Sequence, residues 1–254
     1  MRGRPKTAEI DGRLMLPNHC FPRRRVRPLS SLAWRLRRGY SNTKRLRYEV
    51  SVLAVVHGAI RLGIEQELCQ RLAQAGLGED AVTAVRFRAW DVVYDVIVPT
   101  YRTWTHPRLH GIALSVGLRV PAHRHLTLIA PPAEIQAEPR LGNAHRIFHD
   151  KLVPIRGDAG SAIRCIEEHG GQASLVACET ALGSPFAKER IFGLVFGGYL
   201  EIDLTAEIAE QSIVRIGRDT ESFDWAGLGW RMLANDEQDP SNSIEATAVP
   251  LYPR

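Results

Sequence analysis

A chain of 254 residues at 28.4 kDa has room for one large domain or two modest ones. Its composition, 44% hydrophobic and 24% charged, is that of a globular protein and excludes a mostly disordered chain. The formal charge of +5 hides a segregation: residues 1–50 carry 14 Lys/Arg and 3 Asp/Glu, residues 51–218 carry 17 and 18, and residues 219–254 carry 2 and 7.

A basic head on a near-neutral body points to a polyanion, and nucleic acid is the usual one, because each neutralised phosphate releases counterions. A GC-rich genome accounts for Arg in place of Lys, but not for the acids missing from the same segment. The four cysteines, Cys20, Cys69, Cys165 and Cys178, include no C-x-x-C pair, so neither a disulfide framework nor a Cys-based zinc finger is indicated. The longest apolar stretch, Val50 to Ile60, is too short to span a bilayer, and no apolar segment follows the basic N-terminus as in a secretory signal. The expectation is a cytoplasmic, nucleoid-associated protein with reduced thiols and no membrane contact.

Residues 1–45 read as a basic extended arm, because Pro5, Pro17, Pro22 and Pro28 interrupt any helix. Arg2-Gly3-Arg4-Pro5 resembles the core of an AT-hook, whose arginines lie in a narrow minor groove. A solvated tail is the competing reading. Leu46, Val50, Leu53, His57, Ile60, Ile64, Leu68 and Leu72 recur at three- and four-residue steps and predict a helix over 46–76, with one break allowed at Gly58 or Gly63. Strands are then predicted at Val82 to Phe87, Val92 to Val98, Gly111 to Val120 and His125 to Ile129, followed by a short helix around Ala144 to Lys151. This is an α/β or α+β core over 46–156.

From residue 157 the punctuation is clearest. Helices are predicted over Asp158 to Glu168, ended by Gly170-Gly171, and from a Ser174 cap to Leu182, ended by Gly183. A third opens at Ser184-Pro185 and runs to Phe196. Strands Tyr199 to Leu204 and Ser212 to Ile216 follow. Three helices and a hairpin resemble a winged helix over 157–217, and residues 218–254 read as an acidic flexible tail. The third helix offers Lys188 and Arg190 to DNA, as in a transcriptional regulator. Residues 158–218 nevertheless hold 5 Lys/Arg against 9 Asp/Glu, and Glu201 and Asp203 stand where a DNA-facing wing wants cations, so protein docking is favoured there.

Arg38-Gly39-Tyr40-Ser41-Asn42-Thr43-Lys44-Arg45-Leu46-Arg47-Tyr48-Glu49, followed by Ser51 and Leu53, resembles the lead-in to the nuclease helix of TnsA-like subunits of heteromeric transposases. With the winged helix, this likeness covers about a third of the chain. It implies a restriction-endonuclease-like core that cuts double-stranded DNA with Mg²⁺ held by carboxylates, working beside a transposase or recombinase that docks on the winged helix. Carried onto this chain, the metal ligands and catalytic acids are Glu49, Asp91 and Asp95, since hard cations want clustered carboxylates and Asp91 and Asp95 lie four apart on the expected strand. Glu65 and Glu67 read as solvated carboxylates. The chain departs from the pattern at Ala54, where a second Glu is expected, and no Lys occurs between Lys44 and Lys151.

The expectation is therefore a DNA-binding subunit of a transposition or recombination complex, impaired as a nuclease. Arg2, Arg4, Arg23, Arg24, Arg25, Arg27, Arg35, Arg37, Arg38 and Lys44 would contact phosphates. An active metal-dependent endonuclease and a winged-helix regulator stand as alternatives. A rival reading comes from six histidines within 44 residues. His123-Arg124-His125 after Gly117, with Pro139, Gly142 and His145, echoes cupin elements, and His145 and His149 could hold a metal from one helix face.

Overall fold

The two strands predicted over Val82 to Phe87 and Val92 to Val98 are present, and the structure pairs them as a hairpin that organises the rest of the chain. The computed structural model describes residues 42–120, 125–217 and 223–233. Helix α1 (Asn42–Val56) leads to strand β1 (Ile60–Ile64), helix α2 (Gln66–Gln74) and the hairpin β2 (Val82–Ala89) and β3 (Val92–Pro99). Helices α3 (Tyr101–Thr105) and α4 (Pro107–Leu118) form a crossover to β4 (His125–Ile129), which runs parallel to β3. Helices α5 (Pro132–Ile135) and α6 (Arg140–Asp150) complete this part.

A second unit follows: α7 (Asp158–Glu168), β5 (Gln172–Ser174), α8 (Leu175–Leu182), α9 (Ala187–Phe196), β6 (Leu200–Ile202) and β7 (Ile213–Ile216). The chain then returns to the first sheet as β8 (Arg231–Met232), antiparallel to β4. The large sheet is mixed, in the order β1-β2-β3-β4-β8, and the small one is antiparallel, in the order β5-β7-β6. The fold is mixed α/β. Among the described residues no helix is long and apolar enough to cross a membrane.

Three sequence expectations are corrected. The 46–76 segment is not one helix: Ile60–Ile64 pairs with β2 as an edge strand, and the break lies at both glycines. The register slips between Arg61 and Gly63, and Gly63 sits at φ +146, a conformation a side chain would resist, so a bulge bends the edge here. Gly111 to Val120 is helical rather than a strand. Pro107 at the start of α4 presets the first turn, and Gly117 lies so close to the sheet that a Cβ would meet Ile97 and Leu233. The tail is not wholly free, because Phe223, Leu228 and Trp230 are buried. Phe223 packs edge-on to Tyr94 at 5.5 Å and Trp230 lies 6.5 Å from Phe87.

The two sheet faces are covered unequally. On one face Phe87, Tyr94, Val96 and Val98 pack under α1 and α6. That core runs without interruption into the second unit through Ile147, Ile166, Ile191, Phe192 and Val214. On the other face Leu68 and Leu72 of α2 and Ala113 of α4 cover Val82, Ala84, Ile97 and Ile129, but only at that end of the strands.

Candidate functional site

The uncovered end of that second face carries a polar network. Register places Arg86 of β2 opposite Asp95 of β3, and Asp95 opposite Thr127 of β4, with His125 two residues earlier on the same side. Arg86 grips Asp95 with both ends of its fork, Nε to Oδ1 at 2.6 Å and Nη2 to Oδ2 at 2.9 Å. The same Nη2 lies 2.9 Å from Oε2 of Glu65, whose other oxygen caps α2 by accepting from Leu68 N. His125 Nδ1 faces Asp95 Oδ2 at 3.4 Å. The Asp95 side chain is 2% exposed and that of Arg86 30%, so the carboxylate is sealed while the guanidinium and imidazole edge remain wet. The hydrogen bonding of Arg86 to the Asp95 carboxylate is the main reason that the guanidinium is held even more firmly in its charged form.

The predicted catalytic acids do not come together. Glu49 is on α1, against the opposite sheet face, where Gln136 Nε2 donates to its Oε2 at 3.1 Å and Arg45 lies 3.4 Å away. Asp91 is not on the strand. It stands exposed in the two-residue turn beside Trp90, which is itself at φ +55. Positions of β2 and β3 that share the α1 face are Val85, Phe87, Tyr94, Val96 and Val98, with no ligand for a hard cation. Around Asp95 the Arg86 guanidinium already occupies the place between two carboxylates that a divalent ion would need. The donor set therefore does not fit Mg²⁺, and among the described residues no three metal-ligating groups converge. Glu65, read from sequence as solvated, is buried in this network, whereas Glu67 pairs with Arg71 on the surface.

Comparison with protein-family models, curated proteins and solved structures finds no match for this chain.

His145 and His149 share a face of α6, but their rings stack in parallel, 6° apart with centroids at 5.7 Å, so their in-plane lone pairs do not converge on a metal. Burial raises the Tyr48 hydroxyl to about 12, so it keeps its proton, and its oxygen is hydrogen-bonded with Nε2 of His149 at 2.9 Å. Burial, with a smaller contribution from His149, lowers His145 to about 4. Lys151 lies 4.1 Å from the ring centroids of both Phe148 and Phe196. Burial lowers its ammonium to about 8, while the two ring faces favour the charge.

The His145 shift sets a pH dependence. A folded-state pKa of about 4 lies below the unfolded value of 6.5, so the unfolded chain takes up the proton first. Stability is full above pH 6.5 and is lost as pH falls toward 4. At 1.36 kcal/mol per unit, and discounting for the partly wet ring, the loss is about 2 kcal/mol. Urea unfolding at pH 7 and pH 4.5 measures it, and His145→Gln should flatten the slope. An unchanged slope in that variant would reject the assignment.

The remaining predicted contacts divide. Arg190 is tied to Asp158 Oδ1 at 3.5 Å, and Lys188 is half-buried. Helix α9, the helix that would enter a groove in a regulator, buries Ala187, Ile191, Phe192, Gly193, Leu194 and Val195 against its own chain. Lys44 is exposed on the first turn of α1. Arg2, Arg4, Arg23, Arg24, Arg25, Arg27, Arg35, Arg37 and Arg38 lie outside the described residues, as does most of the predicted arm. Cys165 Sγ lies 3.8 Å from His169 Nδ1, but that nitrogen bonds the Cys165 carbonyl at 2.7 Å and so must carry its proton, which prevents it from activating the thiol.

Sequence reasoning missed Arg86, and it placed Glu65 and His125 in other roles, as a solvated carboxylate and as part of a His-x-His element. A signal was present: Asp95 is the one charge of β3, Arg86 stands on the same side of β2 as the apolar Val82 and Ala84, and a two-residue turn puts the two in register.

Proposed function

We propose that this chain is a DNA-binding subunit of a mobile-element transposition or recombination complex, with the two-part architecture expected of a TnsA-like protein and without its metal-dependent cleavage. The observation that carries this reading is the charge segregation: 14 Lys/Arg against 3 acids in residues 1–50, beside a body of 17 against 18. The order helix, strand, hairpin, crossover, parallel strand supports the implied core. Three helices with the β5-β7-β6 sheet support a winged-helix unit. That unit is read as a protein-docking module, because α9 is buried along much of its length and Arg190 is internally paired. Val153, Ile155, Val176 and Phe186 are exposed apolar side chains in or beside the unit, available to a transposase or recombinase partner in the cytoplasm.

The test is fluorescence anisotropy with duplex DNA over a salt series. If the seven leader arginines Arg23 to Arg38 each neutralise a phosphate, the log–log salt slope is about −6, at about −0.9 per contact. Removing residues 1–41 should weaken binding about 100-fold. Plasmid nicking should be no faster with Mg²⁺ than with chelator. Salt-insensitive binding, or equal binding by the shortened chain, rejects the DNA-binding reading. Mg²⁺-dependent nicking abolished by Asp95→Asn reinstates the nuclease.

A further inference from the structure

The crossover between β3 and β4 belongs to the longest acid-free stretch in the body of the chain. Residues 96–133 contain no Asp or Glu, and hold Arg102, Arg108, Arg119 and Arg124 with four histidines. Helix α4 presses Ala113 and Gly117 onto the sheet and turns Arg108, Gly111, Ser115 and Arg119 outward, all four exposed. Arg108 and Arg119 are eleven residues apart, three helical turns and about 16 Å along one face. Arg102 is exposed on the neighbouring α3.

These arginines differ from many others in the fold. Arg45, Arg71, Arg86, Arg140 and Arg190 are tied to carboxylates of the chain itself. No ion pair among the described residues ties Arg102, Arg108 or Arg119, and the nearby acids Glu79 and Asp80 stay in the turn behind Ala81, on the α3 side.

We propose that the outward face of α4, from Arg108 to Arg119, is a second contact for the phosphate backbone of double-stranded DNA. The inference rests on the DNA-binding reading above and locates a contact on the folded body, separate from the leader. Charge complementarity selects a polyanion. Gly111 and Ser115 between the arginines keep the face flat enough for a backbone to lie against it, and a spacing of about 16 Å along the helix between the two arginine positions exceeds a groove width of about 12 Å. A protein partner would want a buried aromatic or aliphatic anchor, and α4 exposes no large apolar side chain.

The experiment compares the full chain with Arg108→Ala/Arg119→Ala and with Arg108→Lys/Arg119→Lys, by anisotropy on one duplex over a salt series. Both positions are exposed, and unchanged far-UV circular dichroism and urea midpoint confirm the fold of each variant. The alanine pair should bind about tenfold more weakly, with a salt slope shallower by about 1.8, and the lysine pair should stay near wild type. An alanine pair with wild-type affinity and slope overturns this inference and leaves the DNA-binding reading standing. Failure of the unaltered chain to bind duplex overturns both. Displacement by polyglutamate as efficient as by unlabelled duplex, at equal charge, overturns the assignment to nucleic acid.

Discussion

Arg86→Ala should lower the unfolding free energy at pH 7 by about 3 kcal/mol, a midpoint shift of about 8 °C for a chain of this size. The reason is what the substitution leaves behind. Asp95 and Glu65 have side chains 2% and 10% exposed, and the guanidinium between them supplies three of their closest contacts, at 2.6, 2.9 and 2.9 Å. Without it, two like charges face each other out of water. The lower end of the usual range for a broken buried pair applies, because Arg86 is itself 30% exposed and water can enter. Arg86→Lys keeps one cation but loses the fork, and should cost about 1 kcal/mol. A deficit under about 0.5 kcal/mol at pH 7 would show the network to be no stronger than a surface pair.

The network also shows what was legible in the sequence and what was not. Local punctuation was readable. Ser174 caps α8 by accepting from Ala177 N at 3.2 Å, and Gly183 ends that helix in the left-handed conformation. The strands Val82 to Phe87 and Val92 to Val98 follow from β-branched composition, and they pair in register through one two-residue turn. Apolar periodicity misled where two structures share it. The run from Leu46 to Leu72 keeps helical spacing through Ile60–Ile64, but there the spacing does not report burial, because Leu62 and Ile64 are exposed on an edge strand. Gly111 to Val120 has the apolar content of a buried strand, but Pro107 opens a helix ahead of it and Gly117 lets that helix lie close against the sheet. The TnsA-like resemblance groups the acids Glu49 and Asp95, but the sheet separates them. Asp95 shares its face with Arg86 and Thr127, while its neighbours Tyr94 and Val96 point toward α1. Sequence spacing gives the parity of a residue on its own strand and not the side on which a distant helix packs.

The same substitution at two helical glycines should have opposite signs. A Cβ on Gly193 of α9 would sit 2.0 Å from the Leu152 carbonyl oxygen and 3.0 Å from Pro154 Cδ. The obstacle is backbone, and it is fixed, because Leu152 N donates to the Glu189 carbonyl at 2.9 Å one turn earlier on α9. The linker must move outward by more than an ångström, which is overpacking of a kind that costs about 1–3 kcal/mol or more. The helix propensity of alanine returns up to about 1 kcal/mol, so Gly193→Ala should be net destabilising by about 2 kcal/mol. Gly160 of α7 is exposed and a Cβ there meets nothing within 4 Å, so Gly160→Ala should stabilise by about 0.5–1 kcal/mol. Equal shifts in the two variants, read as urea midpoints at one pH, would mean that α9 does not lie against residues 152–154. This contact bears on function through its neighbours. Val153 and Ile155 are exposed on the segment that Gly193 admits, with Phe186 exposed just before α9. If a recombinase docks on that apolar surface, Gly193→Ala should weaken its binding while leaving salt-dependent DNA binding intact, because the leader and the α4 arginines lie on other elements.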